Sequence, residues 1–284
     1  MKIAYEILAC VDGSKLSEAV CDYGAFLSQS LELPLRLLST IEHPHTSVVT
    51  NLSGTIGVES KATLLEALIC EEEAQSKRLM AHSKVLLQTL QDRAQKSGAL
   101  HVEIEQKHGN LYETLLEKEQ SIRVLIIGLR GEQHEENHLA IGSQVEEIVR
   151  SLHVPILLIN QAFQIPKKVL IAYDGSAHAQ KALEMVAKTP LFGAVERHIV
   201  TVTKDDALAQ KVLEEAKVKF NEQGVILSAL HGEPVEALLR YQEEHTIDLI
   251  AMGAFSHHVL RDLFFGSFTA KMLLHSTKPL LLLR

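Results

Sequence analysis

Two segments constrain this chain more than any other feature. Ile7-Leu8-Ala9-Cys10-Val11-Asp12-Gly13-Ser14 returns in outline as Val169-Leu170-Ile171-Ala172-Tyr173-Asp174-Gly175-Ser176. Each is an apolar run of strand length that ends in Asp-Gly-Ser. Four more landmarks recur in the same order. Lys107-His108-Gly109-Asn110-Leu111 answers to Leu230-His231-Gly232-Glu233-Pro234, and Val124-Leu125-Ile126-Ile127-Gly128 to Leu249-Ile250-Ala251-Met252-Gly253. Gly142-Ser143 answers to Gly266-Ser267, and Val154-Pro155-Ile156-Leu157-Leu158-Ile159 to Lys278-Pro279-Leu280-Leu281-Leu282-Leu283. Self-similarity of this kind marks a duplicated structural unit. The chain therefore reads as two domains, 1–160 and 168–284, joined near Asn160 to Lys168.

Within each copy, short apolar runs alternate with amphipathic segments. In the first copy, strands are expected near Glu6–Val11, Leu35–Ser39, Val102–Gln106, Val124–Gly128 and Ile156–Ile159, with helices between them. Asn110 followed by Glu113 resembles a capping box, and Pro234 suits the first turn of the matching helix. The first copy is longer, and the surplus lies mostly between Ile41 and Ser97. Thr46 to Ser60 is polar and reads as a loop. Leu64, Leu65, Leu68, Ile69, Val85, Leu86 and Leu90 then recur at helical spacing, which predicts a long or broken helix from about Lys61 to Ser97. Apolar strands alternating with helices point to an α/β fold with a parallel sheet covered on both faces.

Composition narrows the function classes. Apolar residues make up 46% of the chain, enough for a sizeable core, so disorder is not expected. The net charge of −8 disfavours a nucleic-acid partner, which would need clustered Lys and Arg. No apolar run reaches the ~18 residues of a membrane span, and Glu6 falls where a secretory leader needs its apolar stretch. Cys10, Cys21 and Cys70 are odd in number and share no CxxC spacing, so free thiols in a reducing compartment are expected. The expected location is the cytoplasm. Cys10 and Cys21 fall on core elements and read as small apolar fillers.

In open parallel sheets, ligands bind beyond the carboxyl ends of the strands, where strand order reverses. Two features fall there in each copy. One is the aspartate after the first strand, Asp12 or Asp174. The other is a glycine loop after the fourth. In the second copy the loop runs Gly253-Ala254-Phe255-Ser256, nine residues, then Gly266-Ser267-Phe268-Thr269. In the first it runs Gly128-Leu129-Arg130-Gly131, ten residues, then Gly142-Ser143-Gln144-Val145. Glycine lets backbone N–H groups approach an anion, and a helix opening at Gly-Ser adds free donors and the positive end of its dipole. Gly-Ser is also an ordinary helix start, and Asp-Gly-Ser an ordinary turn.

With Asp-Gly-Ser after the first strand and a G-2x-G-9x-G-[ST] loop after the fourth, the chain resembles the universal stress protein family over nearly its whole length, as two tandem domains. The resemblance implies an adenine-nucleotide alpha-hydrolase-like fold, with a five-stranded parallel sheet of order 3-2-1-4-5 in each half. It implies stress-related roles, and in one branch of the family ATP bound between the first and fourth strands, with Mg2+ as its companion ion. The aspartate would meet the adenine side, and the glycine loop would hold ribose and phosphates. Other members lack the loop and bind no nucleotide. The resemblance also suggests that the last strands of the two halves, Ile156–Ile159 and Leu280–Leu283, pair antiparallel across an internal two-fold.

Carried over residue by residue, the second-half site is Asp174, Met252, Gly253, Ser256, Gly266, Ser267, Phe268 and Thr269. The first-half site is Asp12, Gly128, Gly131, Gly142 and Ser143. The second loop keeps the nine-residue spacing with Ser256 at the second glycine. The first keeps both glycines but is one residue longer, and it carries Glu132, Glu135 and Glu136 with no Lys or Arg. Three carboxylates beside a triphosphate oppose binding, whereas the second loop sets His257, His258 and Arg261 against Asp262. The second half is therefore the expected ATP site. His134-Glu135-Glu136-Asn137-His138 matches the zinc motif H-E-x-x-H, but in a short polar loop, with Ile141 and Gln144 where a longer metalloprotease motif needs Gly and His. We read it as incidental, and His43, His45, His257 and His258 as loop residues. No P-loop, nucleophile elbow or carboxylate pair can be placed, so an enzyme is not the leading reading. A non-nucleotide scaffold acting through protein partners is the alternative. A homodimer of whole chains and turnover of ATP are left open by the sequence.

Overall fold

A computed structural model describes residues 5–41, 58–130, 143–189, 195–220, 224–253 and 267–283, with the backbone alone for 58–73, 143 and 267. The first half runs β1 (Glu6–Cys10), α1 (Ser17–Leu31), β2 (Leu35–Ile41), α2 (Val58–Lys96), β3 (Val102–His108), α3 (Leu111–Lys118), β4 (Ile122–Gly128), α4 (Ser143–Ser151) and β5 (Ile156–Ile159). The second runs β6 (Lys168–Ala172), α5 (Ala177–Lys188), β7 (Glu196–Val202), α6 (Asp206–Lys219), β8 (Val225–Leu230), α7 (Pro234–Glu244), β9 (Leu249–Gly253), α8 (Ser267–His275) and β10 (Leu280–Leu283).

All ten strands form one sheet of order β3-β2-β1-β4-β5-β10-β9-β6-β7-β8. Each half has the order 3-2-1-4-5, parallel throughout. The halves meet where β5 and β10 pair antiparallel, with Leu280 opposite Leu158, Leu281 opposite Leu157 and Leu282 opposite Ile156. Each of these four-residue strands is wholly buried. Left as edges, two such apolar strands would be templates for aggregation, and pairing them removes both edges. Asn160 closes the junction by donating from Nδ2 to the carbonyls of Ser276 (2.8 Å) and Lys278 (3.0 Å). The true edges, β3 and β8, carry polar residues and are partly exposed.

Helices cover both faces. α1, α2, α5 and α6 bury Val20, Leu87, Leu183 and Leu213 on one face. α3, α4, α7 and α8 bury Leu115, Ile148, Leu238 and Leu273 on the other. The central strands are apolar throughout because they are buried on both sides. The expected cap at α3 forms, with Asn110 Oδ1 accepting from the amides of Tyr112 and Glu113. Pro234 opens α7. The insertion helix α2 is unbroken and starts at Val58, ahead of the expected Lys61. Cys10 and Cys21 are buried free thiols. Among the described residues no helix is long and apolar enough to cross a membrane.

Candidate functional site

The helix that follows β1 lies on one face of the sheet and the helix that follows β4 on the other, so a crevice opens between the carboxyl ends of these strands. The same holds for β6 and β9. Because the halves meet antiparallel, the two crevices open at opposite ends of the sheet.

Each crevice begins at its Asp-Gly-Ser turn. The turn is anchored to the neighbouring strand by one amide, Val11 N to Leu38 O in the first half and Tyr173 N to Val200 O in the second, both 2.9 Å. Gly13 and Gly175 have φ of +88° and +76°, a conformation only glycine adopts without strain. The carboxylate then accepts from the serine amide: Ser14 N to Asp12 Oδ1 at 3.0 Å, and Ser176 N to Asp174 Oδ1 at 2.9 Å. Asp12 and Asp174 are both exposed.

Beyond this point the halves differ. In the first, the Ser17 hydroxyl accepts from the amides of Gly13 (3.0 Å) and Asp12 (3.3 Å) and donates to Asp12 Oδ1 (3.2 Å). Ser17 is 3% exposed, so the turn closes on a buried side chain of its own helix. In the second half the same position is Ala179, which carries no hydroxyl. There the Ser176 hydroxyl caps α5 instead, accepting from Ala179 N at 3.2 Å. Ser17 was not among the residues singled out from sequence; aligning the two copies position by position would have exposed the contrast with Ala179.

Gly253 ends β9 against the first turn of α5. A Cβ there would sit 3.1 Å from the carbonyl carbon of His178, and 3.2 Å from its oxygen and from Ala179 N. This glycine lets strand and helix approach closely. At Gly128 the nearest atoms would be 3.5 Å away, an ordinary contact. Met252 is 1% exposed, with its side chain in the core beneath α7 and α8. On α8, Thr269 is 4% exposed and Phe268 packs partly buried against the same core. Ser143 and Ser267 open α4 and α8 as expected. Gly131, Gly142, Ser256 and Gly266 lie outside the described residues, as do the H-E-x-x-H segment, His43, His45, His257 and His258. Among the described residues no group of three or more His, Cys, Asp or Glu is placed to hold a metal ion.

Cys10, at the end of β1, is buried. Burial, reinforced by the charge of Asp12, pushes its thiol far above the usual range. Burial and then Asp22 raise the Cys21 thiol to about 12, and its Sγ donates to the carbonyl of Leu90. Among the described residues, each crevice offers a carboxylate acceptor, a turn of backbone amides and a helix N-terminus.

Comparison with known proteins agrees with this outline. The model of the universal stress protein family matches residues 5–160 and again 166–284. Universal stress protein Slr1230 of Synechocystis is 35% identical over 289 aligned residues, covering 98% of this chain and 99% of the relative. Universal stress protein YxiE of Bacillus subtilis is 28% identical over 41% of this chain and 98% of its own length. Among solved structures, a universal stress protein from Archaeoglobus fulgidus superposes with a TM-score of 0.71, at 18% identity, over 100% of this chain and 99% of the other. That last likeness bears on the fold alone. Two family matches in tandem and a relative aligned from end to end show that the chain belongs to the universal stress protein family.

Proposed function

We propose that the chain binds ATP, as its magnesium complex, in the crevice at the carboxyl ends of β6 and β9, and that occupancy of this crevice makes it a stress-response regulator. One observation carries the choice of half. The turn of Asp12 is closed by the Ser17 hydroxyl, whereas the position answering to Ser17 in the second half is Ala179, which offers the Asp174 turn no hydroxyl and leaves it open to a ligand. Asp174 accepts from the adenine side. The amino-terminal turn of α8, opening at Ser267, faces the phosphates with free amide donors and the positive end of its dipole. The loop charges read from the sequence favour the same half.

Calorimetry with ATP and magnesium tests this reading. One site per chain is expected, weakened strongly by Gly266→Val and little by Gly142→Val. No heat above background for the wild-type chain sinks the nucleotide reading. Equal losses in the two variants would instead put a site in each half. The second reading, a scaffold that binds protein partners, is favoured by α2, which extends over 39 residues and exposes Leu79 (39%), Met80 (37%) and Val85 (60%). Partner capture that disappears when these three residues are made polar, in a chain that binds no nucleotide, would support it.

A further inference from the structure

On the face that carries α1 and α5, the two halves do not close completely on one another. Between these helices, above the β5–β10 ladder, lies an apolar cavity. Tyr23 and Phe26 of α1, Met185 of α5, and Leu157 and Leu281 beneath are among its walls. It sits on the internal two-fold, toward the amino-terminal ends of β4 and β9, and so is separate from both crevices. Its free volume is about 50 Å³, several times the ~10–15 Å³ that one water needs on the same measure. A space of this volume has room for an alkyl chain, and its apolar walls offer water few partners.

One charged residue stands among the described residues of this lining. The pairing of β1 with β4 slips by one residue, from Glu6 opposite Ile122 to Ile7 opposite Val124, and Arg123 is the residue left over. A bulge of this kind re-aims a side chain, and Arg123 joins the wall of the cavity. It is half-buried, and among the described residues it meets no carboxylate or other acceptor. A carboxylate offers a guanidinium two parallel hydrogen bonds. An apolar cavity bordered by one arginine has the chemistry of an amphipathic acid site.

We propose that this cavity binds a straight-chain monocarboxylic acid, with the alkyl chain in the slot and the carboxylate on Arg123. The acid reaches both halves of the chain at once, through α1 and α5, and so stabilises their junction. The test uses the full-length protein and two probes, decanoate below its micellar concentration and decanol, followed by calorimetry and by thermal unfolding. One decanoate per chain is expected, bound about tenfold more tightly than decanol, as a charge-assisted contact allows. Arg123→Met should erase that preference and leave decanol binding unchanged, with circular dichroism confirming the fold. Met185→Trp should fill the slot and abolish binding of both probes. The proposal is overturned if decanoate gives no heat with the wild-type chain. It is equally overturned if decanol binds as well as decanoate, if Arg123→Met keeps the preference, or if decanoate heat survives Met185→Trp. It does not rest on ATP binding, which is measured in the same samples.

Discussion

The contrast between Ser17 and Ala179 can be tested by exchanging the two residues. Ser17 is nearly fully buried, accepts from two amides and donates to a carboxylate. The amides of Asp12 and Gly13 belong to exposed residues, so on loss of the hydroxyl they turn to water rather than remain unsatisfied. The cost of Ser17→Ala is then the net value of one or two hydrogen bonds, ~1–2 kcal/mol, without a full burial penalty. A loss of that size lowers the midpoint of thermal unfolding by roughly 2–4 °C for a chain larger than 150 residues. The reverse change, Ala179→Ser, offers Asp174 an internal donor. A ligand must displace that bond, so ATP affinity should fall roughly two- to tenfold, the equivalent of ~0.5–1.5 kcal/mol. Urea and thermal unfolding read the first effect, and calorimetry the second. If Ser17→Ala leaves the midpoint unmoved, the hydroxyl does not close the turn. If Ala179→Ser leaves ATP affinity unchanged, the closure has no bearing on binding.

Three further outcomes are expected. Tyr241→Phe removes the hydroxyl that meets His198 Nδ1 at 2.8 Å and Ser228 Oγ at 2.9 Å, and His198 is 1% exposed; denaturation should show a loss of ~1–3 kcal/mol for the orphaned nitrogen, and a loss below ~0.5 kcal/mol would contradict the burial argument. Gly253→Ala should cost ~1–3 kcal/mol, because the new methyl group meets the backbone of α5, while Gly128→Ala, with ordinary contacts at 3.5 Å, should be nearly neutral; equal midpoints for the two variants would refute the close-approach reading. Hydrogen bonding to His198, then the charge of Lys168, holds the Glu196 carboxyl below its ordinary value. Its contribution is therefore fully present above the ordinary carboxylate range and is lost as pH falls from that range through the lowered folded-state value. Glu196→Gln should make thermal stability less sensitive to acid there, and an unaltered pH profile would show that the ion pair contributes nothing.

Much of the architecture is legible in the sequence because its causes are local. A strand buried on both faces must be apolar along its length, so β1, β4, β5 and β10 announce themselves. A turn with positive φ needs glycine, so Gly13 and Gly175 mark both crevices. The duplicated order of landmarks carries the repeat, and the resemblance supplied the strand order and the pairing of the terminal strands. α2 begins at Val58, three residues ahead of the start that its apolar spacing indicates.

Other features are settled only when distant parts of the chain meet. The glycine at 253 reads in sequence as an opening for an anion, and the fold shows that the backbone of α5 comes within 3.1–3.2 Å of where its Cβ would be. The charged wall of the central cavity depends on a one-residue slip between β1 and β4 and on helices from both halves. Periodicity and turn chemistry act over a few neighbouring residues and are written in order along the chain. Close approach, satisfied donors and shared cavities are properties of surfaces brought together by folding, and they exist only in the tertiary structure.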